Sequence, residues 1–475
     1  MLTLLASLAC VSPAAFGAAP DDGRPDEVGL AAAIAEATAR HAAVCLPAGV
    51  FELGRPARFA SLVIDRGPVT LRGVGPRTIL RMTGDGRQGD WRGVELRAGA
   101  RGVVFEDLTL DSLGTTNTEE QTHLVQVSPG VREVTFRRVQ LGPMRRPGQE
   151  VGQGSGGDCL RLVGEADAPV EDIVITRSAF VDCDRSGVSL QRGLRRITIA
   201  TSTFTGTGDS PIDFEPTAPG AIEDVAMIGL RISRPAKAQG SWAIAIGGYG
   251  EDLATRITVA DCVLDGGGIG MLNVGEVMIL GNDIRHGLGA GPTISVRRRA
   301  ETVLVQANSI ARPRAAPAAA LIEAQHNNGF APTQLSIVDN RLQQETSAPV
   351  VSSVSVARLE VSGNAIEYSG DGGQFIIDSH AVAADTGRVR VLDNTIRGAA
   401  SAALRLDARD RDVRGVELRG NVGDAVRESV ACEAKPRGRI RTFTHGGNDF
   451  GAARSRCDAA VAAPSTKPPT PAPTP

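Results

Sequence analysis

The stretch "TVLVQANSI" at residues 302–310 contains the pattern that decides the fold. Apolar residues occupy its second, fourth and ninth positions, and Asn occupies the seventh. The segments "QLSIVDNRL" (334–342) and "RLEVSGNAI" (358–366) repeat this pattern. Each begins with the alternation typical of a β-strand, passes through a turn and starts another short strand. Further copies lie at residues 102–110, 133–141, 172–180, 196–204, 224–232, 256–264, 276–284, 388–396 and 415–423, the last of which breaks the pattern at its final position.

The seventh position of the pattern carries the same residue in six consecutive repeats: Asn282, Asn308, Asn340, Asn364, Asn394 and Asn421. These residues recur every 24–32 positions, which is about one coil of a parallel β-helix. Stacked Asn amides can bond to each other along a ladder, and Asn tolerates left-handed backbone geometry. A β-sandwich or a propeller would instead show hairpin turns and no ladder. The sequence therefore predicts an all-β, single-domain parallel β-helix with Asn at one turn.

Both ends of the chain depart from the repeat. The apolar residues 1–19 predict a signal peptide, although the usual basic residue is missing. Residues 26–41 predict a capping helix, because a solenoid must cover its open end. The repeat is expected to fill 20–425, followed by a C-terminal cap at 426–460. The Pro- and Thr-rich residues 461–475 are expected to be disordered.

Composition limits the classes of function. The net charge is −3 and the pI is about 6.1, so nothing indicates a nucleic-acid partner. After the N-terminus, no apolar run approaches the ~18 residues of a membrane span. These features predict an exported protein, periplasmic or secreted. Aromatic residues make up only 3% of the chain, which counts against a surface that only binds sugars by stacking.

The seven cysteines give a mixed prediction. Cys432 and Cys457 flank a Gly- and Arg-rich segment and are expected to form a disulfide in an oxidising compartment. Cys10 lies in the predicted signal peptide, where a lipoprotein site is a weaker alternative. The remaining four lie in or beside apolar strand patterns and are expected to be buried thiols: Cys45, Cys159, Cys183 and Cys262.

A second set of short strand segments precedes the repeats in the middle of the chain. Aligning their apolar pairs places one outward residue between each pair: Glu95, Gln126, Arg161, Ser189, Asp213 and Ala245. The next outward residues are Arg97, Ser128, Val163, Gln191, Glu215 and Gly247. Because coils stack about 4.8 Å apart, we expect two close columns on one sheet face. The columns are polar in the middle coils and lose their polar groups at the end, which is typical of a local site.

The stretch "GDSPIDFEP" (208–216) concentrates the acidic residues of these columns. Asp213 and Glu215 alternate with apolar residues and therefore share the outward face. Nearby loops add further charged side chains. The candidate catalytic residues are Asp213, Glu215, Asp209, Asp184, Arg161, Lys237 and His123. By contrast, Ser295 and Arg297 in the later coils have no acidic cluster nearby in the sequence, so we expect no site there.

Two enzymatic reactions fit these side chains. Asp213 and Glu215 stand roughly 6.5–7 Å apart along a strand, which suits the acid and base of an inverting glycoside hydrolase. In a polysaccharide lyase, a cation neutralises a uronate carboxylate and a base removes a proton. Arg161, Arg185 or Lys237 could serve as that base, and Lys237 or His123 is easier than either arginine, because arginine rarely gives up its proton.

The same acidic residues have two further interpretations. Asp184, Asp209, Asp213 and Glu215 could hold Ca²⁺, which prefers oxygen ligands. They could also form a solvated strand surface in which carboxylates pair with arginines. The sequence leaves both open.

The beginning of the chain resembles a known group of proteins. Asp21-Asp22-Gly23, an Ala-rich helix, Leu46-Pro47-Ala48-Gly49 and "VTLRGVGPRTIL" (69–80) resemble the start of pectate-lyase-like (pectin lyase fold) superfamily proteins, and the resemblance extends over about 21–425. It implies a right-handed parallel β-helix. It does not imply one reaction, because this fold hosts lyases, hydrolases, epimerases, esterases and phage tailspikes. The signatures of polygalacturonases, mannuronan epimerases and pectin esterases are missing, so no family set of catalytic residues carries over.

The expected function is therefore an exported protein that acts on a polysaccharide, which could be an acidic one, as a lyase or a glycoside hydrolase through an acidic groove. The alternative is a non-catalytic surface or matrix protein that binds polysaccharide.

Overall fold

The computed structural model describes most of the 475 residues. The described ranges are 9–54, 59–84, 90–115, 120–144, 157–233, 242–286, 289–327, 329–370, 375–382, 384–398, 400–408, 411–423, 426–434, 439–450 and 454–455.

One sheet, here called sheet A, carries the predicted columns. Its strands are Ala60–Ile64, Trp91–Leu96, Thr122–Val127, Leu160–Leu162, Val188–Leu190, Ile212–Phe214, Trp242–Gly247, the first part of Gly268–Leu280, the first part of Ile294–Gln306, Ile322–Gln325, Val351–Val354, Phe375–His380, Ala400–Ala408, Val426–Ala434 and Arg454–Ser455.

Sheet B follows sheet A around each coil. Its strands are Cys10–Val11, Ala43–Cys45, Val69–Arg72, the first parts of Arg101–Thr115 and Arg132–Leu141, Val170–Thr176, Leu194–Ala200, Ile222–Ile228, Ala254–Ala260, the second parts of Gly268–Leu280 and Ile294–Gln306, Pro332–Val338, Arg358–Ser362, Thr386–Leu392, Val413–Arg419 and Phe443–Gly446.

Sheet C completes the coil. Its strands are Gly49–Leu53, Thr78–Gly84, the second parts of Arg101–Thr115 and Arg132–Leu141, Ala179–Val181, Thr203–Thr205, Arg231–Ser233, Val263–Asp265, Asp283–Arg285, Ser309–Arg312, Arg341–Gln344, Ala365–Tyr368, Thr395–Arg397 and Val422–Gly423.

The strands pair in parallel from one coil to the next and build one continuous β-solenoid. Inward side chains from all three sheets form one continuous apolar core. Phe105 stacks on Phe136 and Phe180 on Phe204, with ring centroids 5.0 and 4.5 Å apart. The predicted parallel β-helix is therefore confirmed, and the core exists because the apolar positions of every repeat face the same axis.

The Asn ladder is confirmed as well. Each Asn Nδ2 donates to the Oδ1 of the next Asn at 2.8–3.0 Å, from Asn282 to Asn448. Asn448 extends the ladder by one coil beyond the predicted series. The expected left-handed geometry lies elsewhere, because the residue before each of the six predicted Asn has positive φ, as at Asp339 (55°) and Gly363 (65°). The Asn side chain forms hydrogen bonds with backbone carbonyl and N–H groups at the turn. The residue before it adopts the left-handed conformation that bends the chain.

Removing one member of the ladder is expected to destabilise the solenoid. Asn340 Nδ2 donates to two backbone carbonyls and to Asn364, while its Oδ1 accepts from Asn308. Asn340→Ala leaves these buried groups without a hydrogen-bond partner, so we expect a loss of about 2–3 kcal/mol in the free energy of unfolding. Urea denaturation followed by circular dichroism measures it. Arg341→Ala is the control, because this side chain is exposed and should cost less than about 0.5 kcal/mol. Equal midpoints for both variants would contradict a stabilising ladder.

The N-terminal end is capped as expected. The helix Glu27–Ala39 buries Leu30, Ile34 and Ala37, the face predicted from sequence. Asp26 bonds the backbone N–H groups of residues 19 and 52, and burial raises the pKa of its carboxyl to about 6. None of the helices among the described residues is long and apolar enough to cross a membrane.

Residues 9–19 are part of this cap. Cys10 forms a disulfide with Cys45, so Cys45 is not the buried thiol that the sequence predicts. A short 3₁₀ helix, Pro13–Phe16, follows, and Val11 and Ala18 are buried. The predicted signal-peptide boundary at residue 19 thus falls inside a packed segment.

The C-terminal end differs from the expected arrangement. The strands Val426–Ala434 and Phe443–Gly446 continue the parallel pairing of the coils before them, so the solenoid does not stop at residue 425. Cys432 is disulfide-bonded, whereas Cys457, its predicted partner, and the tail 461–475 lie outside the described residues.

Candidate functional site

The first predicted column is present on sheet A in the expected register. Glu95, Gln126, Arg161, Ser189, Asp213 and Ala245 pair in that order across six consecutive coils. This alignment follows from the inward apolar pairs, because a shift by one residue would turn each of them outward.

Arg185, which the sequence suggests only as a poor base for a lyase, lies at the centre of the acidic residues. The Arg185 guanidinium forms an ion pair with Glu215, lies 3.9 Å from Asp213 Oδ2 and 3.4 Å from Glu120 Oε1. Its side chain is only 16% exposed, and its carboxylate neighbours raise its pKa despite burial. Arg185 therefore holds the carboxylates together by charge.

A second layer of polar groups lies beneath this surface. His123 and Asp158 are fully buried, and the Asp158 backbone N–H donates to His123 Nδ1 at 3.1 Å. Arg161 Nη1 contacts His123 Nε2 at 3.2 Å and donates to Gln121 Oε1 at 2.8 Å. Asp158 Oδ1 accepts from the backbone N–H of Ser186 at 3.3 Å. These groups connect three neighbouring coils below Arg185.

The pKa values in this cluster are shifted in opposite directions. Burial, with Glu215 and Asp209 nearby, raises the pKa of Asp213 to about 7. Burial also raises the pKa of Asp158 to about 6. Burial and three nearby arginines hold the pKa of His123 well below its usual value, so this imidazole is neutral at pH 7. Strongly shifted groups in a polar patch are typical of functional sites.

The other predicted site residues are placed less closely. Asp209 lies in the loop before the Asp213 strand and accepts from the Ser210 N–H through its side chain. Asp184 is buried in the loop that carries Arg185. His123 is 1% exposed, so it cannot contact a polysaccharide and is not the base that the sequence predicts. Lys237 lies outside the described residues.

The four carboxylates proposed for calcium do not fit that ion as they are arranged. Arg185 already neutralises Glu215 and approaches Asp213, and a second cation there would be repelled. Among the described residues, no group of three or more His, Cys, Asp or Glu is arranged to hold a metal ion. Calcium binding stays a prediction without support from this arrangement.

A disulfide lies directly beside the cluster. Cys159 and Cys183 are bonded, with their Cα atoms 5.6 Å apart, so the prediction of buried thiols is wrong here. It was wrong because the apolar strand pattern explains burial but does not show that the two strands are neighbours. The bond joins the segment that contains Asp158 to the one that contains Arg185. Cys262 is the buried free thiol that was predicted, and burial raises its pKa to about 11.

Loss of this disulfide should loosen the site. The double variant Cys159→Ser/Cys183→Ser frees the loops that place Asp158 and Arg185, so we expect about 2–4 kcal/mol less stability and a drop in any activity larger than global unfolding explains. Thermal melting with and without dithiothreitol measures the first effect. Cys262→Ser is the matched control, because it is a buried thiol outside this loop. A double variant as stable as wild type would contradict the prediction.

The sequence analysis did not count Asp158, Ser189 or Gln191 among the candidate site residues. Asp158 is the last residue of a Gly-rich insertion, and only its buried contact with His123 shows that it belongs to the site. Gln191 Nε2 donates to Ser189 Oγ at 2.9 Å and to Glu215 Oε2 at 3.4 Å. Ser189 and Gln191 could have been recognised from the sequence, because they occupy the two column positions one coil before Asp213 and Glu215.

The expectation that later coils of sheet A lack acidic companions is wrong. Arg297 Nη2 lies 3.9 Å from Glu323 Oε1, on the neighbouring strand. Further along, His380 Nε2 lies 2.9 Å from Asp378 Oδ1 and its Nδ1 lies 3.4 Å from Asp407 Oδ2. The Arg297–Glu323 and His380–Asp407 pairs were missed because their partners are 26 and 27 residues apart in sequence and meet only when the coils stack.

Comparison with known proteins adds the fold but no family assignment. No protein-family model matches the sequence, and no curated protein matches it significantly. Among solved structures, the A-module of mannuronan C-5 epimerase AlgE4 from Azotobacter vinelandii is similar, with TM-score 0.55 and 18% identity over 90% of this chain and 99% of that chain.

Two other solved structures are comparable. The A-module of mannuronan C-5 epimerase AlgE6 from the same organism has TM-score 0.51 and 16% identity, over 93% of this chain and 99% of that chain. A tailspike protein of E. coli bacteriophage HK620, in complex with a pentasaccharide, has TM-score 0.53 and 13% identity, over 95% of this chain and 80% of that chain. The chain therefore has the right-handed parallel β-helix fold that the resemblance at its start implied.

Proposed function

We propose that this protein is an exported enzyme that hydrolyses glycosidic bonds in a polysaccharide, with Asp213 and Glu215 as its acid and base. The observation that carries the proposal is the unequal environment of these two neighbouring carboxyl groups. Asp213 has a pKa raised to about 7, so it can keep its proton near neutral pH. Glu215 forms an ion pair with Arg185. Two carboxyl groups whose environments separate their protonation states are the usual basis of acid–base catalysis in glycosidases.

The proposed reaction uses both groups at once. Asp213 donates its proton to the oxygen of the leaving sugar as the glycosidic bond breaks. Glu215 accepts a proton from the water that attacks the anomeric carbon from the other side. Alternate positions along the chain put the Cα atoms of Asp213 and Glu215 about 6.5–7 Å apart, and side-chain rotation sets the carboxyl separation that the water requires. The two side chains are 15% and 39% exposed, so a substrate can reach them.

The buried layer has a positioning role in this proposal. Arg185 orients Glu215 and limits the repulsion among the carboxylates. Asp158 and His123 lie too deep to contact substrate and hold the backbone at residue 186 and the side chain of Arg161. The buried polar groups hold the catalytic pair in position, because side chains without such support would be placed less precisely.

Two further observations support the substrate class and the location. The names of the similar structures refer to a mannuronan epimerase and to a complex with a pentasaccharide, and both proteins share the fold. The Cys10–Cys45 and Cys159–Cys183 disulfides favour an oxidising compartment outside the cytosol.

The test is a panel of polysaccharides incubated with the purified protein. New reducing ends without absorbance at 235 nm are expected, because hydrolysis leaves no double bond. A rise at 235 nm would overturn hydrolysis in favour of β-elimination. Binding without either signal would favour the alternative, a non-catalytic polysaccharide-binding protein.

A further inference from the structure

A groove adjoins the acidic cluster on sheet A. Beyond Asp213, the column continues through Ala245 and Gly270 to Ser295. The small side chains in the middle lower the sheet surface and leave a groove of about 230 Å³. It is lined by Phe214, Trp242, Ala245, Ile246, Gly247, Gly270, Met271, Leu272, Ser295 and Arg297. Drug-sized ligands occupy roughly 300–1,000 Å³, so this space suits a single sugar ring.

An aromatic ring forms part of the groove wall. A Cβ atom on Gly270 would lie 2.7 Å from two carbons of the Trp242 indole, so the ring packs directly on the glycine backbone. Only glycine permits this approach. Trp242 is partly exposed and presents an apolar surface, on which the apolar face of a pyranose ring can stack.

The far end of the groove has unused hydrogen-bonding capacity. Ser295 is 1% exposed, and its Oγ has no hydrogen-bond partner among the described residues. Arg297 Nε is also buried without a hydrogen-bond partner there, and the only ion pair described for its guanidinium is the long 3.9 Å contact to Glu323. The Arg297 side chain is 41% exposed, so the rest of its guanidinium is open to a ligand acceptor, whereas Ser295 lies too deep to contact one.

The charge of these groups selects the kind of acceptor. The Arg297 guanidinium donates hydrogen bonds only, and it matches a carboxylate in shape and charge. Among the described residues that line the groove, Arg297 is the one charged side chain. Arg185 balances the nearby carboxylates at the other end, which reduces their repulsion of an anionic ligand.

We propose that this groove is a subsite for a uronate ring, with Trp242 against the apolar face of the sugar and Arg297 at its carboxylate. Ser295 lies three coils from Asp213, about 14 Å along the helix axis. The bound ring therefore lies further along the polysaccharide than the sugar at the catalytic pair and is not cleaved itself. This inference rests on the proposed function and names its substrate class, an acidic polysaccharide.

Tryptophan fluorescence tests the subsite without turnover. The chain has two tryptophans, and Trp91 is 3% exposed, so a ligand-induced change reports mainly Trp242. The Asp213→Asn protein is titrated with short oligomers of galacturonate, mannuronate and guluronate, and with their methyl esters. We expect at least one free-acid oligomer to bind tenfold or more tightly than its ester. Adding Arg297→Gln should remove that preference.

Arg285→Gln is the matched control, because Arg285 is an exposed arginine on sheet C. Equal binding of acid and ester, or binding unaffected by Arg297→Gln, would overturn the uronate subsite. Hydrolysis of a neutral polysaccharide by the wild-type protein in that case would leave the proposed function standing. Absence of hydrolysis on every polysaccharide, together with uronate binding that depends on Arg297, would overturn the proposed function and support the subsite.

Discussion

Asp213→Asn is expected to lower the turnover of the cleaved polysaccharide by about 10²–10⁴-fold, because general acid catalysis typically contributes that much. The amide cannot donate an acidic proton to the leaving oxygen. The measurement is the rate of reducing-end formation on the best substrate of the panel. The rate should be compared at equal fractions of folded protein, since the substitution also changes stability.

The same substitution is expected to make the protein more stable at alkaline pH. The folded-state pKa of Asp213 is about 7, above its ordinary value of 3.8. The folded state therefore holds this proton more tightly than the unfolded chain, and the ionised group destabilises the fold. This cost is absent below about pH 4, grows as pH rises to 7 and is complete above it. Removing it should add up to about 4 kcal/mol at pH 8 and almost nothing at pH 3.

Thermal melts of both proteins between pH 3 and 8 measure this difference. Asp283→Asn is the control, because Asp283 is a more exposed acid on a sheet C strand, far from the cluster. Wild-type kcat/KM should also decline above pH 7, as Asp213 loses its proton. If Asp213→Asn keeps full turnover, or if its melts parallel those of Asp283→Asn, then Asp213 belongs only to a solvated strand.

Arg185→Gln is expected to cost about 3–5 kcal/mol in the free energy of unfolding at pH 8, because it leaves buried carboxylates without their cation. Asp158 is fully buried, Asp213 is 15% exposed, and both have Arg185 as a favourable charge. Without the guanidinium, their pKa values should rise further. The loss should therefore shrink as pH falls towards 4 and the carboxyl groups become protonated.

Urea denaturation at pH 5 and pH 8 checks this dependence. Arg285→Gln should change stability by less than about 1 kcal/mol at either pH, since its ion pair is exposed. The double variant Arg185→Gln/Asp213→Asn should be more stable than Arg185→Gln alone, because one of the stranded charges is gone. A loss that is the same at pH 5 and pH 8, with no rescue by Asp213→Asn, would show that Arg185 acts through packing and not through charge.

The predicted column from Glu95 to Ala245 illustrates how much of the site could be predicted from the sequence. Its register follows from alternating apolar pairs, and such pairs are local information. The sequence alone therefore predicts that Asp213, Glu215 and Arg161 lie on one sheet face. His123 was placed in the right coils but given the wrong role, because sequence alternation does not report whether a loop covers a side chain.

Other parts of the site depend on contacts between coils. Arg185 and Asp158 lie in connecting loops, where no period-two pattern marks which way a side chain points. The Cys159–Cys183 bond and the Arg297–Glu323 pair join residues 24 and 26 positions apart. Their partners depend on the lengths of the turns and insertions, and these vary from coil to coil.

By itself, the sequence determined the parallel β-helix, the Asn ladder and the face of the sheet on which Asp213 and Glu215 lie. These features repeat with the period of one strand or one coil, so each repeat carries the same local information. Only the tertiary structure decided which charges meet: Arg185 among the carboxylates, His123 buried, and Trp242 on Gly270. Those contacts arise when neighbouring coils stack about 4.8 Å apart, and the burial that shifts the pKa of Asp213 exists only there.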